Sequence, residues 1–390
     1  MNVIYFGTDK TALVRANKMA AKGKKILFCD SADKVLMRES EKIAFVVLSG
    51  KECCIKDFEL LRGLGIDPYK IEFYENYEWR RGCSFLGQYL WYGRSYYRSC
   101  VYRRGEYLNK PYSGDIKRDF DSIRQSWGET IEHWRRKEPT PCDGCFILKE
   151  QVWPRTIEFK SLSLYGGFKG ECCNFRCIYC DATENLKLSK CKDSITMVDA
   201  ILSFAEALGN NNFSVALSAG EISVSPYREE IFSLLRNLRI RTSIFSNGYI
   251  FDKYIYEALE NNGSINISLD SGTPDTFKKI KGIDGYNQVI YNISRYHNAK
   301  GKIELKYIIL EGVNDNEKDI DGFISICKKY ASSVRLSCDK FRYKDQLSDN
   351  SMTCLKHIVE FCKSFSIPVS FSYSQFNDED CCKLRNMINQ

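Results

Sequence analysis

The chain has 390 residues, 44% hydrophobic and 27% charged, so it can bury a sizeable core and by length forms two or more domains. Its net charge of +7 is too small an excess to indicate nucleic-acid binding by itself. No apolar run approaches the roughly 20 residues that cross a bilayer, and a signal peptide is not recognisable, so we expect a cytoplasmic protein. In that compartment the 18 cysteines indicate thiols and metal ligands rather than disulfides.

The first region, residues 1–75, alternates short apolar runs with helical stretches. Strands are predicted at residues 3–6, 25–29, 44–48 and 70–74, and helices at residues 11–21 and 55–64. This order predicts a small Rossmann-like α/β domain. The turn after the first strand contains Gly7 but not the full G-x-G-x-x-G pattern, so it does not indicate dinucleotide binding.

The second region, residues 76–150, is predicted to be a mainly helical connector rich in aromatic and arginine side chains. Interleaved planar and cationic groups can grip nucleic acids, but they also pack domains together, and we favour packing. The residues concerned are Trp79, Arg80, Arg81, Tyr89, Trp91, Tyr92, Arg94, Tyr96, Tyr97, Arg98, Tyr102, Arg103 and Arg104. Apolar side chains at spacings of three and four then predict one amphipathic helix, with its buried stripe at Ile116, Phe120, Ile123, Trp127, Ile131 and Trp134.

The third region, residues 151–390, alternates predicted strands and helices. The strands are expected near residues 156–164, 213–218, 240–246, 264–269, 302–309 and 333–337. Such alternation indicates right-handed crossovers and a parallel sheet. The fold class is therefore α/β, with a partial (β/α)6 TIM-like barrel after the Rossmann-like domain. Functional residues of such barrels gather where the strands end.

Three cysteines follow the first predicted strand of the barrel at the spacing C-x-x-x-C-x-x-C. They are Cys173, Cys177 and Cys180. A short loop with three thiolates can hold one corner of a cubane iron–sulfur cluster and leave the fourth iron without a protein ligand. The spacing therefore indicates a metal centre with an open position.

This loop resembles that of the radical S-adenosylmethionine (SAM) superfamily, in which an aromatic residue usually precedes the third cysteine, as Tyr179 does here. The resemblance extends over about residues 155–375. It implies that the three cysteines hold a 4Fe-4S cluster, and that SAM is cleaved there reductively to a 5'-deoxyadenosyl radical that abstracts a hydrogen from a substrate. It also implies an electron donor such as flavodoxin or ferredoxin.

Polar residues at the later strand ends follow the order seen in that superfamily. Ala219, Gly220 and Glu221 are similar to its G-G-E motif, which holds the SAM amino group, although alanine replaces the first glycine. The resemblance implies further SAM contacts at Ser246, Asn247, Ser268, Asp270, Lys306 and Val313.

A second metal site is suggested by the C-x-x-C spacing of Cys142 and Cys145. These thiols could belong to an auxiliary iron–sulfur or zinc site completed by other cysteines, or they could be free. The candidates for completing it are Cys83, Cys100, Cys172 and Cys191.

Cys338 ends a predicted barrel strand, where a thiol could donate a hydrogen atom to a substrate radical and act as a catalytic residue. An inert buried thiol is the alternative. Cys381 and Cys382 could take the same part. The three histidines have no ligand spacing, and we assign them no chemistry: His133, His297 and His357.

Three functional hypotheses follow. The first region is similar to small Rossmann-like modules of sugar and surface-glycan enzymes, which favours a carbohydrate or nucleotide-sugar substrate for a radical SAM enzyme. A peptide-modifying radical SAM enzyme is the alternative. A zinc or nucleic-acid binding protein is the alternative from another class, although nucleic acid is not the favoured partner.

Overall fold

The computed structural model describes most of the chain, with gaps. The described residues are 2–6, 25–29, 43–48, 54–63, 67–68, 71–73, 77–93, 96–100, 110–111, 113–145, 147–156, 159–180, 195–209, 212–299, 301–342 and 345–389. In chain order the strands are β1 (Asn2–Phe6), β2 (Lys25–Cys29), β3 (Ile43–Leu48), β4 (Ile71–Phe73), β5 (Tyr77–Gly82), β6 (Tyr89–Gly93), β7 (Tyr96–Arg98), β8 (Lys110–Pro111), β9 (Lys149–Pro154), β10 (Ser161–Gly166), β11 (Ser214–Leu217), β12 (Arg241–Ser246), β13 (Ser264–Ser268), β14 (Lys302–Ile309), β15 (Ser333–Cys338) and β16 (Val369–Phe371).

The helices of the described residues are numbered separately, also in chain order. They are α1 (Cys54–Gly63), α2 (Ile116–Arg135), α3 (Met197–Leu208), α4 (Arg228–Asn237), α5 (Lys253–Glu260), α6 (Pro274–Lys281), α7 (Tyr286–His297), α8 (Glu317–Tyr330), α9 (Asp349–Ser364) and α10 (Asp378–Asn389). None of them combines the length and apolar character needed to cross a bilayer.

The chain forms two compact units that do not follow the three sequence regions. One unit combines Met1–Leu86 with Trp127–Glu158, and the other combines Gly87–Ser126 with Phe159–Gln390. The predicted connector is divided because β5 pairs with β9 in the first unit, whereas β6 pairs with β10 in the second.

The first unit contains a four-stranded sheet of order β2-β1-β3-β4, in which every pair is parallel. These four strands and α1 were predicted to within one or two residues, because short β-branched runs between polar segments identify buried parallel strands. The helix predicted at residues 11–21 lies outside the described residues.

The described arginines of the first unit contact protein groups. Arg80 is buried, and its guanidinium donates to Glu78 Oε1 (2.7 Å) and to the Pro154 carbonyl (3.1 Å). Arg135 pairs with the same Glu78 at 2.7 Å, and Trp79 stacks on Phe58 with ring centroids 4.8 Å apart. This part of the aromatic and arginine region therefore packs within the first unit, and the packing of domains together that the sequence favours stays a prediction.

The second unit contains a ten-stranded sheet of order β16-β15-β14-β13-β12-β11-β10-β6-β7-β8. From β10 to β16 each strand lies parallel to the next one in the chain, and β6 adds in parallel to the other side of β10. The predicted α/β class with a parallel, barrel-like sheet is confirmed. The first predicted strand, residues 156–164, was misplaced, since this stretch includes the break between β9 and β10.

The barrel sheet has one apolar and one polar face. Tyr307 packs against Phe323 of α8 with ring centroids 4.7 Å apart, so its side of the sheet faces the helices. Residues in register with Tyr307, or two positions away, are buried and apolar, as Leu305 and Leu336 are. The alternate residues form the inner face, which is largely polar.

The predicted stripe of α2 is buried along its whole length, from Ile116 to Trp134.

Candidate active site

The three-cysteine loop follows β10 and is anchored to the end of α6. The backbone N–H of Arg176 donates to the Lys281 carbonyl (3.3 Å), and that of Ile178 donates to the Ile280 carbonyl (3.0 Å). A further turn is closed by Cys180 N donating to the Cys177 carbonyl (3.1 Å). A loop with these fixed backbone partners presents its side chains at defined positions.

The structure distinguishes the three spaced cysteines from their neighbour Cys172. The Cys172 thiol donates to the Val224 carbonyl (3.1 Å). Cys173 and Cys177 are half-buried and Cys180 is exposed, and none of the three forms a disulfide, as Cys172 also does not. The Cys173 sulfur accepts a hydrogen bond from Phe175 N (3.5 Å). Burial raises the pKa of the Cys173 thiol to about 11, and proximity of Cys177 and Cys180 adds to the shift. A metal that binds here must therefore displace protons from the thiols.

Gly220 and Glu221 brace the loop from β11. The Glu221 backbone N–H donates to the Cys172 carbonyl (2.8 Å), and a Cβ on Gly220 would lie only 2.5 Å from that same oxygen. The Glu221 carboxylate is buried and accepts from the Ser246 hydroxyl (2.9 Å) and from Asn247 N (2.5 Å). Burial raises the pKa of Glu221, which these donors counteract. Both carboxylate oxygens are thus engaged by protein donors, which fix the Glu221 side chain beside the loop.

Asn247 connects the end of β12 directly to the loop. Its Nδ2 donates to Asn174 Oδ1 (2.8 Å), and its own Oδ1 accepts from Tyr249 N (3.0 Å). Ser246 is buried and its hydroxyl oxygen accepts from Gly248 N (3.0 Å). The structure therefore brings the predicted positions at the ends of β10, β11 and β12 into one hydrogen-bonded group.

A second network joins Tyr179 to the ends of β13 and α6. The Tyr179 hydroxyl donates to Asp270 Oδ2 (2.5 Å) and accepts from Lys281 Nζ (2.6 Å), while Lys281 also forms a salt bridge with Asp270. Asp270 and Lys281 are both almost completely buried. Asp270 also accepts from Ile308 N (2.8 Å) and has a left-handed backbone, with φ of +58°. Burial raises the pKa of Tyr179 well above its ordinary value, and the Asp270 charge adds to that effect.

Tyr179 and Val313 were predicted from widely separated segments and pack together at this end of the barrel. Both lie against an apolar cluster of Ile280, Ile308 and Leu310. Tyr179 directly precedes Cys180 in the chain, so this apolar cluster adjoins the three-cysteine loop.

The segment that contains the three-cysteine loop matches a known family. Residues 169–324, which include all three cysteines, match the model of the radical SAM superfamily. This chain carries a radical SAM domain. The predicted superfamily, and with it the prediction of an enzyme, is confirmed.

Relatives of the radical SAM domain include two bacterial proteins named GTP 3',8-cyclase. The one from Clostridium botulinum (strain Okra / Type B1) is 31% identical over 170 residues, which is 42% of this chain and 52% of the relative. The one from Petrotoga mobilis is 30% identical over 165 residues, which is 40% of this chain and 48% of the relative. The chain thus spans about half the length of these relatives. Among solved structures, Streptococcus suis SuiB bound to S-adenosylmethionine aligns with a TM-score of 0.42 and 13% identity, over 65% of this chain and 52% of that one.

The radical SAM superfamily uses a 4Fe-4S cluster and SAM, so both predicted cofactors are confirmed for the domain. Among the described residues, no three Cys, His, Asp or Glu side chains converge as ligands of a single metal ion. A cubane instead takes each thiolate on a different iron. Cys173, Cys177 and Cys180 are the residues that would hold such a cluster. Their assignment as ligands, like the individual SAM contacts, stays a prediction.

The predicted contacts Ser268 and Lys306 lie side by side on the inner face of the barrel. Sequence reasoning missed their neighbours Glu304 and Arg335, whose side chains form a two-point ion pair with distances of 2.7 and 3.2 Å. The charged residues alternate with apolar ones along β14 and β15, and this alternation was the available signal. Lys281 was also missed, because it follows exposed lysines on α6 and no pattern sets it apart.

Cys338 ends β15 as predicted, but its side chain is not on the inner face. It is in register with Ile309 and two positions from Leu336, and its thiol donates to the Gln375 carbonyl (2.5 Å). Burial raises its pKa to about 12. Cys381 is likewise buried and donates to the Tyr373 carbonyl (3.4 Å), whereas Cys382 is exposed. The placement of Cys338 fits an inert thiol better than a hydrogen donor to a substrate inside the barrel.

The C-x-x-C pair of the first unit has one predicted neighbour close by. Cys145 N donates to the Cys142 carbonyl (2.9 Å), and Cys83 is near enough to Cys145 that this neighbour contributes to raising the pKa of the Cys83 thiol. Burial is the larger cause of the raised Cys83 pKa. Cys191 lies outside the described residues. The auxiliary site stays a prediction.

Proposed function

We propose that this chain is a radical SAM enzyme acting on a small phosphorylated compound of the nucleotide-sugar or nucleotide class. The observation that carries the proposal is the loop itself. Cys173, Cys177 and Cys180 form no disulfide, and the adjacent Cys172 thiol donates to the Val224 carbonyl (3.1 Å). This arrangement lies inside the segment that matches the superfamily.

The roles of the chain's own residues follow from their contacts. Cys173, Cys177 and Cys180 would hold a 4Fe-4S cluster, which when bound supplies the electron that cleaves SAM to a 5'-deoxyadenosyl radical for hydrogen abstraction. Glu221 and the Asp270–Lys281 pair position the loop from two sides. Ile308, Leu310 and Val313 form an apolar surface at this end of the barrel. An adenine ring that packed on this surface would be shielded from water on that side.

The substrate class combines two lines of support. The first sequence region favours a carbohydrate or nucleotide-sugar, and the two bacterial relatives are named for a reaction of GTP. Their alignment covers only about half of each relative, so GTP itself does not transfer with it. Nucleotide-sugars and GTP are both phosphorylated, so a phosphorylated small molecule is the class in which the two lines overlap. We further propose a cytoplasmic location and a flavodoxin or ferredoxin as electron donor.

The test is anaerobic reconstitution with iron and sulfide, comparing the wild type with Cys177→Ala and Cys172→Ala. The wild type should bind about four iron atoms per chain and absorb broadly in the visible range. Reduced with dithionite and given SAM, it should form 5'-deoxyadenosine. Cys177→Ala should lose most of its iron and this product.

Cys172→Ala is the matched control, since it removes a thiol from the same loop that has a different partner. It should keep its iron. Equal loss of iron in both variants, or a wild type that binds no iron, would contradict the proposal.

A further inference from the structure

Two strands that extend the barrel sheet beyond β10 carry aromatic side chains on its inner face. In β6, the Tyr92 ring contacts Phe204 of α3 with ring centroids 5.7 Å apart, so Tyr92 faces the helices. Successive residues of a strand point to opposite faces of the sheet. Tyr89 and Trp91 therefore lie on the inner face, where Trp91 is in register with Ser163 of β10.

Tyr89 and Trp91 form a flat surface with a cation beside it. Their ring centroids are 6.3 Å apart and their planes differ by 28°. Arg98 of β7 is in register with Trp91 and so lies on the same face next to it. Its Nε donates to the Cys100 carbonyl (2.9 Å), and its two terminal nitrogens have no hydrogen bond to any described residue. We call Tyr89, Trp91 and Arg98 the aromatic platform.

Solvent reaches the aromatic platform and the inner-face residues next to it. The three platform residues are half-buried, as are Ser163 of β10 and Ala216 of β11, which follow Trp91 in register. Residues of the same strands that face the helices are completely buried, as Leu90 and Leu162 are. Ser163 and Ala216 also have short side chains. A ligand on the inner face of the sheet can therefore contact the platform.

We propose that the aromatic platform binds the nucleobase of the substrate by stacking, while Arg98 pairs with a phosphoryl oxygen. Every nucleobase has a flat face that stacks on tryptophan or tyrosine, and a guanidinium matches phosphoryl oxygens. Four strands separate β6 from β14 in the sheet, so the platform is distinct from the apolar surface near Val313. The proposal rests on the proposed function, because it states which part of a nucleotide-class substrate contacts β6 and β7.

The experiment titrates guanosine monophosphate (GMP) and ribose 5-phosphate into the full-length protein without oxygen, followed by tryptophan fluorescence and by calorimetry. GMP should quench Trp91 fluorescence, whereas ribose 5-phosphate has no base and should not. Trp91→Ala should weaken GMP binding about tenfold, because the stacking surface is lost. Arg98→Met should weaken binding of both compounds severalfold, because both carry the phosphoryl group.

Trp91→Phe distinguishes stacking from a merely structural role, since it keeps an aromatic ring and removes the indole. Calorimetry should find its GMP affinity within about threefold of the wild type, while the quenching is lost. It also keeps the test valid where Trp91→Ala disturbs folding, which circular dichroism reports. Loss of GMP binding in a folded Trp91→Phe variant would overturn the stacking proposal.

Two variants serve as matched controls. Trp153→Phe removes a buried indole of the first unit and should keep both GMP affinity and quenching. Tyr291→Ala removes a ring that is 60% exposed on α7 and should leave GMP affinity within about twofold. An equal loss in Tyr291→Ala and Trp91→Ala would overturn the proposal, as would unchanged GMP affinity in Trp91→Ala.

Three further outcomes would overturn the proposal, and the last of them separates it from the enzyme class. Equal weakening of ribose 5-phosphate binding in Trp91→Ala would assign the platform to a sugar ring. Weakened SAM binding with unchanged GMP binding would assign it to the adenine of SAM. A wild type that forms 5'-deoxyadenosine but binds no GMP would leave only the radical SAM assignment standing. GMP binding does not require the cluster, so a wild type without iron would contradict the proposed function and not this result.

Discussion

Gly220 adopts a left-handed backbone conformation, with φ of +58°, immediately below the carbonyl of Cys172. Any side chain there meets that oxygen and the Glu221 side chain. The Gly220 position therefore determines how closely the end of β11 can approach the three-cysteine loop. A substitution should affect the metal centre before it affects the rest of the barrel.

We expect Gly220→Ala to lower the free energy of unfolding by about 2 to 4 kcal/mol, from backbone strain plus the clash, and to reduce the retained iron severalfold. Urea denaturation and iron content measure the two effects. Gly209→Ala is the matched control, since Gly209 has φ of +64° but open space around its Cβ position. It should cost only about 1 kcal/mol and keep its iron. Equal iron loss in both variants would show that strain alone, without the Cys172 contact, explains the result.

At the scale of elements, the N-termini of α6 and α8 are joined by one carboxylate. Asp319 Oδ1 accepts from the backbone N–H groups of Gly272 (3.0 Å) and Thr273 (3.1 Å), and Oδ2 accepts from the Thr276 hydroxyl (2.7 Å). Gly272 also packs tightly against the backbone of α8, which leaves no room for a side chain. These contacts hold α6, and through its last residues the three-cysteine loop, against the barrel.

Asp319→Ala should lower the free energy of unfolding by about 2 to 4 kcal/mol, because two backbone N–H groups, two threonine hydroxyls and the Asn316 amide lose their acceptor. Denaturant unfolding checks this value. Asp321→Ala changes an exposed aspartate on the same helix and should remain within about 0.5 kcal/mol of the wild type. If the two variants were equally stable, the carboxylate would not couple the helices.

At the scale of the whole molecule, the described thiols divide into accessible and protected sets. Cys180 and Cys382 are exposed, whereas Cys327, Cys338, Cys354, Cys362 and Cys381 are buried. Burial raises the pKa of Cys338 to about 12 and that of Cys362 to about 12. Since the thiolate is the reactive form, both remain protonated and inert below that pH.

Iodoacetamide at about pH 8, followed by peptide mass spectrometry, should label Cys382 in all samples and Cys180 only before the cluster is loaded. Cys338 and Cys362 should react only after unfolding. The raised pKa values also mean that the folded protein holds the thiol protons of Cys338 and Cys362 more tightly than the unfolded chain does. The free energy of unfolding should therefore fall as pH rises from about 9 towards 12. Labelling of Cys338 in the native protein at pH 8 would contradict the buried placement.

The strand pattern of the barrel was readable from sequence because β11 to β15 are runs of alternating or continuous apolar residues between turns. Several strands escaped prediction for physical reasons. The strand β16 has only three residues, too few to show a period. The prediction of a mainly helical connector was wrong for β5, β6, β7 and β8, because the arginines and aromatics of these strands resemble a binding surface and mask the strand period. The ligand spacing of Cys173, Cys177 and Cys180 was visible because one short loop carries it.

The sequence by itself determined the superfamily, the three-cysteine loop and the order of parallel strands, since each depends on neighbours in the chain. Only the tertiary structure decided that Cys338 faces the helices, that Lys281 pairs with Asp270, and that Lys306 and Arg335 lie in one row. Those facts depend on strand register and on helix ends meeting across long separations. Such contacts arise when distant segments pack, and no local pattern in the chain encodes them.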